Sequence, residues 1–145
     1  MLIPSDDYPT DEKRYIFLIF SSTMFLLSLY TLLFNKLNDK DFLIVMYILP
    51  VLFLTAFTAI VPNIIVLSIC HCAIVTCLGL GTFVDDFIIN LTAFLTLAIF
   101  RLLWCVYGSC IMFREGESWG LEIPVEISTW LWTIIFGYKL WRRIP

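Results

Sequence analysis

The sequence predicts an all-α fold, a polytopic transmembrane helical bundle with four spans and a short fifth, and three observations carry that prediction. Hydrophobic residues make up 61% of the 145-residue chain and charged residues only 14%, against about 25% charged in soluble domains. Between Phe42 and Phe113 the only formal charges are Asp85, Asp86 and Arg101. The apolar stretches also recur at lengths of about 20 residues, which is what a helix needs to cross a hydrocarbon core of about 30 Å. A water-soluble globule of this size cannot bury so much apolar chain and still present a polar surface.

Residues 1–14 form a polar lead-in carrying Pro4, Pro9, Asp6, Asp7, Asp11 and Glu12, in which Thr10 or Asp11 caps the first helix. The first span is 15–34. No basic n-region followed by a short apolar core and a cleavage site is present, so it reads as a retained span and not as a cleaved signal. The polar stretch from Asn35 to Asp41 turns the chain into a second span, 42–61, where Pro50 near the centre predicts a kink. Pro62-Asn63 breaks the helix, 64–83 is the third span, and Val84-Asp85-Asp86 makes a tight hinge into the fourth, 87–113. Connections this short make neighbouring helices antiparallel. Residues 15–113 thus read as a four-span membrane domain.

Residues 114–124 form an acidic loop with Glu115, Glu117 and Glu122, closing on Pro124, which suits the first turn of a helix. Residues 125–145 then read as a fifth short span or an interfacial helix, ending in a basic C-terminus. At about 25 Å if helical, 125–141 is marginal for crossing. Trp130, Trp132, Tyr138 and Trp141 suit either an aromatic belt or a helix lying in the interface. Apolar residues cover most of its circumference, which favours crossing. With five crossings, Lys36, Lys40, Lys139, Arg142 and Arg143 share one side, the cytoplasmic side by the positive-inside rule, opposite Lys13, Arg14 and Arg114. A last segment lying on the surface reverses that orientation.

Arg101 is the sharpest chemical signal, because an arginine at the centre of a span costs about 2.5–3.5 kcal/mol on insertion scales. Asp86, Asn90, Leu97, Cys105 and Gly108 share its helix face, a polar and small stripe suited to meeting other helices. Asp86 stands about 22 Å away along a straight helix, too far to pair with it. Mirroring depth across each turn puts Ser22, Thr55, His71 and Arg101 at one bilayer level, a polar layer that no carboxylate of the chain is expected to reach. Three readings follow: an arginine held by hydroxyls and carbonyls, an arginine completed by a partner's carboxylate, or Arg101 and His71 lining a water path in an oligomer. Asp85-Asp86 reads first as a helix cap and second as a cation-attracting mouth.

The five cysteines lie in apolar stretches and read as packing residues. Cys70-His71-Cys72 is followed by no second ligand pair, so neither a metal nor another cofactor is expected. Asn90-Leu91-Thr92 matches a glycosylation acceptor but sits inside a span, and Cys110 is a weak acylation site near a membrane boundary. Hydrolase, zinc-protease and phosphate-loop motifs are missing, and no carboxylate neighbours the lone histidine in sequence, so catalysis is not expected. With a net charge of −3 and no large basic cluster, nucleic acid is excluded as a partner. The expected function is that of a small integral-membrane structural or assembly subunit of a larger complex. Its expected partners are membrane lipids and other transmembrane subunits or further copies of itself. The alternative is a self-assembling ion or proton channel, with Asp85 and Asp86 at a mouth and His71 and Arg101 at the constriction.

Overall fold

The computed structural model describes residues 11–61, 63–107 and 122–143. Those residues form five helices and no strand: α1 (Asp11–Phe34), α2 (Asp39–Ile60), α3 (Ile64–Gly81), α4 (Phe87–Tyr107) and α5 (Glu122–Trp141). Three helices begin earlier than expected, and α2 does so at Asp39 in place of Phe42. α1 takes Asp11–Arg14 from the lead-in, placing Asp11 and Glu12 in the first turn, where the helix dipole favours negative charge. α5 takes Glu122, Ile123 and Pro124 from the acidic loop, with Pro124 inside its first turn. Gly108, Cys110 and Arg114, with the remainder of the acidic loop and of the expected fourth span, lie outside the described residues.

Short polar side chains start the inner helices, supplying acceptors for backbone donors that have no partner within the helix. Asn38 Oδ1 accepts from the N–H of Asp41 at 2.8 Å, and Asn63 Oδ1 accepts from that of Val66 at 3.1 Å. Asp86 Oδ1 does the same for Ile89 at 3.0 Å. Pro50 sits within α2 without ending it.

Three helices, α1, α2 and α4, are long and apolar enough to cross a membrane. α3 is a shorter apolar helix; its 18 residues rise about 27 Å. α5 is not among the three, its described side chains beginning only at Ile127.

α1 packs along α2, α2 along α3, and α4 along α5, while α1 also meets α4. Phe17, Ala59 and Leu67 join α1, α2 and α3 in one buried cluster, against which Phe100 and Leu103 of α4 pack. Val45, Leu49, Val84 and Ile89 form a second cluster nearer the α3–α4 turn. Two glycines let α5 come close. A Cβ on Gly81 would stand 3.4 Å from the buried ring of Phe136, and one on Gly137 would stand 3.4 Å from Phe94. Around this bundle, large apolar side chains point outward on every helix, among them Ile19, Phe53, Ile69, Leu102 and Ile134.

Candidate functional site

Polar side chains collect at four places, and the first is a partly open cavity of about 80 Å³ lined by α1–α4. Ser21, Ser28, Thr55, Thr92 and Thr96 line it together with Met24. Of the four residues expected at one level, the lining includes Thr55; Ser22, His71 and Arg101 are not part of it. Register explains the serine. Phe17, Ser21 and Ser28 lie on the buried face of α1 at spacings of four and seven, and Ser22 is turned about 100° away. The threonine hydroxyls donate within their own helices: Thr55 to Val51 O at 2.7 Å, Thr96 to Thr92 O at 2.6 Å, and Thr92 to Ile88 O. With those threonine donors used this way, the cavity meets mainly methyl groups and rings, beside the hydroxyls of Ser21 and Ser28.

Arg101 forms the second place, and it turns toward α5. Its Nη2 donates to Thr129 Oγ1 at 2.7 Å, and its guanidinium carbon stands 4.4 Å from the ring centroid of Trp130. A planar cation over an indole face gains quadrupole attraction that grows as water is excluded. Both partners come from the helix that the depth argument left out. Reflecting Arg101 through the middle of the 114–124 loop reaches Gly137, about two turns past Thr129, so residue spacing did not give this partner. On the same helix Asn90 and Leu97 are fully buried while Cys105 is exposed, so the shared stripe packs inward only over its first half. His71 is half-buried on α3.

The third place is the α3–α4 turn, where three helices grip one peptide group. Val84 O accepts from Asn90 Nδ2 at 3.1 Å and from Lys139 Nζ, while the N–H of Asp85 donates to Asp41 Oδ2 at 3.0 Å. Lys139 Nζ also donates to Thr82 O at 2.7 Å, and Arg143 donates to Asp85 O. Asp41 is 2% exposed and Asn90 0%. The Asp85 carboxylate lies 3.2 Å from Lys40 Nζ and 3.7 Å from Lys139 Nζ. The hydrogen bond from Lys40 holds the Asp85 carboxyl below its ordinary range, with the charges of Lys40, Lys139 and Arg143 acting in the same direction against slight desolvation. Asp86 caps α4 and also accepts from Asn35 Nδ2 at 2.7 Å. Among the described residues no group of three or more His, Cys, Asp and Glu side chains is placed to hold a metal ion.

At the opposite end of the bundle, Arg14 Nε and Nη2 donate to Ala59 O at 3.1 and 2.9 Å, and Nη1 pairs with Asp11 at 2.8 Å. Tyr107 Oη donates to Glu12 Oε1 at 2.7 Å, and the buried Lys13 ammonium lies 5.5 Å from the Tyr107 ring centroid. No protein family, characterised protein or solved structure matches the chain.

Proposed function

We propose that the chain is a small multi-pass integral-membrane protein, without catalytic activity of its own, that serves as a structural or assembly subunit of a larger membrane complex. The observation that carries this reading is the division of its surface. Charged groups at both ends engage one another and nearby backbone carbonyls, while the flanks of all five helices present large apolar side chains. Such a molecule meets its surroundings mainly through helix faces, which suits lipid and the helices of other subunits.

Five crossings are part of the proposal. The C-terminal end of α5 reaches the α3–α4 turn through Lys139 and Arg143, the end at which Lys40 pairs with Asp85. That arrangement supports an antiparallel fifth helix and a basic, cytoplasmic side comprising Lys36, Lys40, Lys139, Arg142 and Arg143. A span as short as α3 is accommodated by local thinning of the bilayer.

Extraction in a gentle detergent, followed by separation under native conditions, tests the subunit reading. The expected result is co-migration with a different transmembrane protein in fixed stoichiometry; recovery as a monomer overturns it. Ion flux through liposomes containing the purified chain is expected to match empty vesicles across the range where histidine titrates. Flux above that background would favour the channel instead.

A further inference from the structure

We propose that the cavity among α1–α4 is a binding slot for a single alkyl chain, the acyl tail of a membrane lipid. Its shape is the first argument. The lining runs from Phe17 to Ser28 on α1 and from Ile89 to Phe100 on α4, about 16 Å of helical rise in each case. About 80 Å³ is about half of a cavity that takes a benzene ring, room for the last few carbons of one chain and not for a ring system.

Chemistry is the second argument. A buried water needs two to four polar partners, and the hydroxyls of Thr55, Thr92 and Thr96 already donate to carbonyls of their own helices. No charged side chain lines the slot, so neither an ion nor a polar solute finds a counter-group there. An uncharged chain suits this lining, which is apolar over nearly all of its surface beside the hydroxyls of Ser21 and Ser28. Entry is between α3 and α4, which pack only sparsely against each other. Ile74 and Leu78 on one side, and Ala93 and Phe100 on the other, stand half-buried along that seam. The proposal rests on the membrane reading above, since only a bilayer presents acyl chains to this seam.

The test uses the full chain in phosphatidylcholine vesicles doped with a phosphatidylcholine that carries a photoreactive diazirine in mid-chain. After irradiation, adducts are mapped by mass spectrometry. Adducts are expected on the inward-facing Met24, Cys77 and Thr96 as well as on the outward-facing Leu26 and Leu102. Filling the slot with Ala93→Phe, or from the opposite wall with Ser28→Leu, is expected to reduce the inward adducts to the level of unirradiated samples and leave the outward ones unchanged. Outward adducts alone in the unaltered chain overturn the slot and leave membrane residence standing. Absence of both sets overturns membrane residence, and the slot with it. Inward adducts that persist in both filled variants, with helical circular dichroism intact, also overturn the slot.

Discussion

Where α3 turns into α4, side chains from α2, α4 and α5 reach for the same peptide group, whereas at the opposite end the polar contacts are made pair by pair. Both ends solve one problem, the carbonyls that a helix C-terminus leaves without partners. Arg14 supplies donors to Ala59 O near the end of α2, and Lys139 supplies them to Thr82 O and Val84 O just past α3. They differ in what lies behind the donor. Asp41 and Asn90 are buried on either side of the Val84–Asp85 peptide, while Asp11, which backs Arg14, is 82% exposed. Water can therefore hydrate the Asp11 carboxylate at the second end, whereas Asp41 and Asn90 at the first have no such replacement.

The largest expected effect is therefore at the turn. Lys139→Met removes a cation from two carbonyls and from Asp85, and is expected to cost about 3 kcal/mol in reversible unfolding in detergent micelles. Arg14→Met is expected to cost less, about 1.5 kcal/mol, because it takes its donors from one carbonyl, that of the buried Ala59, and not from two. Equal losses would erase the contrast between the ends. Asn90→Ala, expected to cost about 2 kcal/mol, sharpens it further. Because Asn90 and Lys139 share Val84 O, each single variant leaves that oxygen one donor, and the double variant is expected to lose about 1 kcal/mol more than the sum of the two single losses. Strict additivity would mean that the two donors act independently of that shared oxygen.

Arg101 offers an intermediate case, a contact halfway between the ends. Arg101→Met is expected to cost about 1–2 kcal/mol and to shift the tryptophan emission, since the guanidinium leaves the face of Trp130. Arg101→Lys is expected to recover less than half of that loss, because an ammonium keeps the charge but not the planar stack. Full recovery by lysine would reduce the site to its charge alone.

The helices were legible because their apolar lengths state them: each of the five falls on an expected apolar run, though α1, α2 and α5 start three or four residues early. The expected cap was legible too, as Asp86 precedes a long apolar run, and its Oδ1 meets Ile89. Tertiary partners were much less so. Lys139 and Val84 are separated by 55 positions, and periodicity reports which face of a helix is apolar without naming the neighbour that covers it. The choice between Ser21 and Ser22 turns on a rotation of about 100°, which a nearly all-apolar helix does not specify in its own pattern. Arg101 was conspicuous as a cost, yet its aromatic partner belonged to a segment whose tryptophans read equally well as an interfacial belt.

The smallest expected effect is the pH response of Asp85, and its sign follows from the direction of its shift. The folded carboxyl lies below its ordinary range because Lys40 donates to it, with Lys139 and Arg143 nearby. The folded state therefore releases this proton at lower pH than the unfolded chain does. The stabilisation is fully present above the unfolded value of about 3.9 and is lost as pH falls through the lower, folded value. With the Asp85 side chain 62% exposed and that of Lys40 52% exposed, its size is expected to stay below about 1 kcal/mol and to shrink as salt is raised. Asp85→Asn is expected to remove this part of the acid sensitivity while leaving the Asp85 N–H on Asp41 and the Asp85 carbonyl on Arg143 in place. Unfolding measured from neutral pH down to about pH 2 in both proteins checks this. Identical slopes would assign the acid response to other carboxylates, and the turn would then be held by its peptide contacts without help from the Asp85 charge.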